Sequence, residues 1–165
     1  MLIGPQISPA DELIATNLQA LRAAVAAAAA SAHRSVDSIT LVAVSKGHGA
    51  ELVRAAAARG LTNFGESYLQ EALPKIDALR ELPVSWHFIG RIQANKSAAI
   101  AEHFHWVHGV DRLRIAERLS AQRPHYAAPL QLCIQVNIAG ERGKAGVEPA
   151  AQRIRPGIEP GVELR

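Results

Sequence analysis

A single cysteine, Cys133, is all that this chain of 165 residues carries. That excludes an internal disulfide and fits a reducing cytoplasm. Cys133 lies inside the apolar run Leu130 to Val136, so it reads as a small core residue and not as a nucleophile. Charge of one sign is never concentrated: the net +3 is spread along the chain without a basic block, which gives no footprint for nucleic acid. Aromatics are few, at 4%, within an otherwise ordinary composition of 48% hydrophobic and 20% charged residues. The length suits one domain with a sizeable core. No basic leader precedes the alanine-rich stretch Ala24 to Ala30, and Asp11, Glu12 and Arg22 break its surroundings. No stretch is read as reaching transmembrane length, so no membrane partner is expected.

Lysine is the other scarcity, with four against fourteen arginines. One of the four, Lys46, ends the apolar run Ile39-Thr-Leu-Val-Ala-Val-Ser-Lys46. A β-branched run of this kind reads as a strand buried on both faces, as in a parallel sheet. Gly47, His48 and Gly49 break it. A lysine at the carboxyl end of such a strand points to where α/β folds place their chemistry. Burial there would favour the neutral amine, a nucleophile toward carbonyls. A solvated strand-end lysine is the alternative reading.

The pattern along the chain predicts alternating strands and helices. Ser8 and Pro9 mark the start of a long amphipathic helix that carries Leu13, Ile14, Leu18, Leu21 and Val25 at helical spacing. Strands follow at Ile39–Ser45, Asn63–Glu66, Val84–Ile89, Trp106–Val110 and Leu130–Ile138, with Val162–Arg165 as the beginning of a sixth. The helices between them span about Ala50–Arg59, Tyr68–Arg80, Asn95–His103 and Arg112–Gln122. Three prolines beyond the fifth strand leave room for a short helix only. Short connections between such elements predict a parallel sheet with right-handed crossovers. A doubly wound sheet and a barrel compete. Gly47-His-Gly49 lacks the later glycine of a dinucleotide fingerprint, which weakens the first. A full eight-stranded barrel takes roughly 200 residues or more. The expectation is therefore a single-domain α/β chain: an incomplete TIM-type (β/α) barrel, of about five strands plus the start of a sixth, that stops early.

Three histidines, His103, His105 and His108, bracket a strand start, but no carboxylate or thiolate at a sensible spacing completes a metal set. Gly140 to Gly146 lacks the spacing of a phosphate loop and the hydroxyl residue after its lysine. Lys144 is either a polar contact at a barrel mouth or a solvated loop lysine. Glu66 either pairs with a neighbouring cation at the strand ends or caps the next helix.

Four strand-end segments stand together: Ala43-Val-Ser-Lys46, Asn63-Phe-Gly-Glu-Ser-Tyr68 with Gln70-Glu71, Trp86-His-Phe-Ile-Gly-Arg-Ile-Gln-Ala-Asn-Lys96, and Gln135-Val-Asn-Ile138 with Lys144-Ala-Gly146. Over about residues 10 to 165 the chain resembles the pyridoxal phosphate homeostasis family, whose barrel is related to the N-terminal domain of alanine racemase. The resemblance implies that pyridoxal 5′-phosphate (PLP) is held as a Schiff base on Lys46. It implies that Ser67, His87 and Asn137 belong to the cofactor-binding set. It further implies a cytoplasmic carrier and regulator of PLP, with PLP-dependent apo-enzymes as possible partners and no turnover of its own. A racemase-like enzyme and a fragment with weak PLP binding remain the alternatives. Three departures accompany the match. Ser67 stands for the family asparagine, which shortens a polar contact. Gly47-His48 stands for Thr-Lys-like residues, which loosens the loop after the lysine. The chain also ends before the segments that bind the phosphate in the family, which predicts a weaker hold on the cofactor.

Overall fold

Strand and helix alternate because apolar β-branched runs are punctuated by glycine and proline and followed by amphipathic segments. The computed structural model describes residues 9–148 and 162–164. Strands β1 (Ala43–Val44), β2 (Asn63–Glu66), β3 (Ser85–Phe88), β4 (Trp106–Val110), β5 (Leu130–Ile134) and β6 (Val162–Leu164) form one sheet in sequential order. Every neighbouring pair is parallel. Helix α1 (Pro9–Ser31) precedes the sheet, and α2 (Ala50–Ala57), α3 (Leu69–Ala78), α4 (Ser97–His103) and α5 (Leu113–Gln122) fill the first four connections. A doubly wound sheet reverses its strand order at a switch point. This one never reverses, so it is an arc of a TIM-type (β/α) barrel.

The register separates two faces. Phe64, Trp86, Phe88, Val107, Leu130 and Leu132 pack outward against Val53, Leu79, Ile100, Ile115 and Leu119 of the helices or their ends, forming one apolar core. The alternate positions turn to the concave side, where Gly65, His87, Trp106 and Gln131 lie at one level along the sheet. Close approach of the chain just after β2 to the chain just after β3 depends on Gly90, because a Cβ there would run into the Ser67 carbonyl.

Several sequence expectations need correction. The first strand was expected to span Ile39–Ser45, buried on both faces, but only Ala43 and Val44 pair, and Val44 is half exposed. It is an outer strand with one neighbour, β2, and a cavity of about 480 Å³ separates Ile39–Leu41 from Gly60–Thr62 below it. The fifth strand stops at Ile134, beyond which Val136 makes an isolated bridge to Val147. The long first helix packs by a narrow stripe only, with Leu18 and Ala29 buried and Ile14 and Val25 half-buried. Arg22 reaches the Arg59 carbonyl at 3.0 Å, and Arg59 faces Asp11 at 3.4 Å. By length and composition alone α1 is long and apolar enough to cross a membrane, because its alanines dilute the three charges that break the run. The expected Ser8 cap and the short helix around the late prolines lie outside the described residues.

Replacing Gly90 by alanine is expected to cost about 1–3 kcal/mol, the range for overpacking a site that cannot relax. Urea unfolding checks it: the midpoint should fall, and an unchanged midpoint would show that the β2 and β3 ends can separate freely.

Candidate functional site

Lys46 stands at the corner of a β-turn. The amide of His48 donates to the Ser45 carbonyl at 3.1 Å, and Gly47 takes the positive φ of 75° that such a turn asks of its third residue. Continuing the alternation of β1 places Lys46 on the concave side with Val44, while Ser45 faces the helices with Ala43. Ser45 is buried and Lys46 is exposed. The shielding expected of Lys46 is therefore not supplied by the described residues, because β1 is the outer strand on this side. Among those residues no hydrogen bond or ion pair claims the Lys46 amine.

The backbone on either side of Lys46 is held by charged groups from β2 and α3. Lys75, 6% exposed, places its ammonium 2.5 Å from Glu66 Oε1 and 2.8 Å from the Ser45 carbonyl oxygen. Glu66 is fully buried and also accepts the Ser45 hydroxyl at 2.7 Å. The amide of Gly47 donates to Glu71 Oε2 at 3.2 Å. Desolvating two charges is costly, and it is offset only where geometry and extra hydrogen bonds are good. Here Oε1 receives both the ammonium and the hydroxyl, although Oε2 is buried without a partner. Of the two readings of Glu66, the structure selects pairing with a cation at the strand ends. The turn after the lysine, expected to be loose, is closed by two hydrogen bonds.

A second polar chain crosses the concave face one level below Lys46. Asn63 Nδ2 donates to Thr62 Oγ1 at 3.0 Å, so its Oδ1 is left to accept from His87 Nε2 at 2.9 Å. His87 Nδ1 is then an acceptor, and His108 Nε2–H donates to it at 2.9 Å. The Trp106 ring stacks on His87 with centroids 5.6 Å apart. Burial, followed by the neighbouring charges of His108 and His105, pulls the His87 pKa down to about 4. Burial also lowers His108. His87 is thus a neutral imidazole of fixed tautomer. His105 is committed elsewhere, its Nδ1 accepting the Trp86 amide at 3.0 Å. Among the described residues no group of three or more histidines, cysteines or acids is gathered to hold a metal.

The remaining candidates are more scattered. Ser67 lies half-buried at the end of β2 and lines a small cavity of about 180 Å³ with Tyr68, Arg91 and Lys96. Asn137 uses its whole carboxamide to close its own loop, donating to the Glu141 carbonyl at 3.1 Å and accepting the Glu141 amide at 3.2 Å. Lys144 pairs with Glu141 at 2.8 Å on an exposed loop. Lys75 and the pairing of His108 had no place among the sequence candidates, and Asn63 and Glu71 stood within a motif without a role. Lys75 did leave a signal: it falls on the buried stripe Leu69, Ala72, Lys75, Leu79 of α3 and its end, where a lysine needs a partner.

The family profile of the alanine racemase N-terminal domain matches residues 16–158. A pyridoxal phosphate homeostasis protein of Pseudomonas aeruginosa is 54% identical over 136 residues, which are 82% of this chain and 59% of that protein. Its namesake in Escherichia coli K12 is 48% identical over 140 residues, 83% of this chain and 60% of that protein. PipY of Synechococcus elongatus, solved with PLP bound, superimposes with a TM-score of 0.69 at 38% identity, over 83% of this chain and 59% of PipY. The chain thus spans about 60% of the length of these curated relatives.

Two measurements check this site. His87 titrates near 6.5 when unfolded and about 4 when folded, so the unfolded chain binds the extra proton in between. Its contribution, roughly 2–3 kcal/mol after solvent screening, is complete above pH 6.5 and is lost as pH falls through 4. His87→Gln should flatten the fall of melting temperature between those pH values, and an equally steep limb would contradict the assignment. Separately, Lys75→Met alone should cost about 3–5 kcal/mol by stranding a buried carboxylate, whereas Glu66→Gln with Lys75→Met should cost far less. Denaturant midpoints of the two variants compare them directly; equal losses would mean that the pair is not a buried charge pair.

Proposed function

The chain belongs to the alanine racemase N-terminal domain family and, within it, to the pyridoxal phosphate homeostasis proteins, and on that footing we propose that it holds PLP on Lys46 and serves intracellular PLP homeostasis without turnover. PLP supplies an aldehyde that condenses with a lysine amine, releasing one water, so it can be held covalently and yet reversibly. The single observation that carries the reading is the Lys46 amine. It projects from a pinned turn at the carboxyl end of a barrel strand, and among the described residues no hydrogen bond or ion pair engages it. An amine already committed to a carboxylate would have to break that pair first; this one does not.

The sheet face that Lys46 shares by alternation suits a bound aromatic aldehyde. The concave face offers Trp106 and the neutral imidazoles of His87 and His108 in place of fixed charges, so a cofactor ring meets stacking surface and hydrogen-bonding nitrogens. We assign His87 and Ser67 to the floor and rim of the site. Asn137 shapes the 137–141 loop beside it, since both halves of its carboxamide are used there. A single PLP-binding domain built on this incomplete barrel, and exchange of PLP with apo-enzymes in the cytoplasm, complete the proposal; the free thiol Cys133 is compatible with that compartment.

Mixing the protein with PLP should develop an imine absorbance band that Lys46→Ala abolishes. A band of equal strength in the variant would remove Lys46 from the account. Incubation of the PLP-loaded protein with single enantiomers of amino acids should leave them unchanged; racemisation would transfer the chain to the enzymes.

A further inference from the structure

Three charged side chains converge on one β-turn, and stability alone does not call for charge there. A buried ion pair can usually be exchanged for apolar residues at little cost. Glu66 and Lys75 nevertheless sit among the buried residues of β2 and α3 and spend their hydrogen bonds on Ser45, one on its hydroxyl and one on its carbonyl. Glu71, one helical turn before Lys75, takes the Gly47 amide. The two residues that flank Lys46 are therefore fixed from the same helix, while among the described residues the Lys46 side chain makes no hydrogen bond or ion pair. Along the alternation of β1, Ser45 and Lys46 fall on opposite sides of the sheet, so the anchor acts on the lysine through its backbone.

We infer that Glu66, Glu71 and Lys75 form a positioning clamp that fixes the Ser45–Gly47 turn, so that the Lys46 amine is presented to an incoming aldehyde in one orientation. The inference rests on Lys46 being the PLP lysine and assigns the second half of the Phe64-Gly-Glu66…Glu71…Lys75 segment to that lysine and not to the cofactor. A flexible lysine on a mobile turn loses more conformational freedom each time the covalent link forms, and a fixed turn has lost that freedom on folding. The clamp thus sets how much of the bound cofactor is in the linked form.

Glu71→Ala and Glu71→Gln make the first test, because Glu71 is exposed and neither change leaves a buried charge. Amide hydrogen exchange without PLP should accelerate at Gly47 in the alanine variant by about 5-fold, the loss of one hydrogen bond, and be restored by glutamine, which keeps an acceptor oxygen. With PLP, the ratio of linked to free cofactor should fall by a similar factor in Glu71→Ala and recover in Glu71→Gln, while melting temperatures stay together. The double variant Glu66→Gln/Lys75→Met, which buries no lone charge, should lower the same ratio by about 10-fold or more as both Ser45 anchors are weakened. Wild-type ratios in Glu71→Ala and in the double variant, or unchanged exchange at Gly47, overturn the clamp. Lys46→Ala run in parallel separates the two claims: a band that survives in it defeats the PLP assignment itself, whatever the clamp variants do.

Discussion

An ammonium and a carboxylate withdrawn from water, Lys75 and Glu66, are the constraint on which the site depends. Their separation of 2.5 Å makes sense only in the place where it occurs, against the carbonyl and hydroxyl of Ser45. Remove the lysine and a carboxylate is stranded in the core; remove the pair together and the core can close, but the strand end loses its anchors. The charge pair joins three elements: the end of β1, the end of β2 and the face of α3. The placing of Lys46 follows from that junction, because among the described residues its own side chain makes no hydrogen bond or ion pair.

The sheet supplies the setting. Six parallel strands in sequential order put helices on one side only, so one face of each strand is apolar and the other is free to carry chemistry. Asn63, His87, Trp106 and His108 share that second face, and the hydrogen bonds among them assign each ring nitrogen a role. Burial keeps His87 neutral, which spares that face a second positive charge alongside a lysine that must itself become neutral to react. The same alternation that buries Phe64 and Glu66 on one side turns Lys46 to the other.

Much of this was legible in the residues. The four-residue strand Asn63–Glu66 and the five-residue strand Trp106–Val110 coincide with their apolar spacing and flanking breakers, and the parallel sheet followed from short connections. Ile39–Ser45 was misjudged because periodicity cannot tell a strand covered on both sides from one with a single neighbour. The anchor beneath Lys46 was only half visible. Glu66 stood in a recognisable motif, but its partner lies nine residues on, in a helix, where a lysine is ordinarily solvated. Partnership between side chains on different elements is set by packing distance, which spacing along the chain does not encode. Asn137 illustrates the converse: its motif marked it for the cofactor, and its loop claims both of its polar atoms.

With only four lysines in the chain, the central claim can be read residue by residue. Borohydride reduction of a PLP-saturated sample fixes the cofactor to whichever amine holds it, and peptide mass mapping then locates it. The reduced adduct is expected on the peptide containing Lys46, with Lys75 unlabelled in its ion pair. An adduct carried by Lys96 or Lys144 instead, or spread evenly among the exposed lysines, would contradict it.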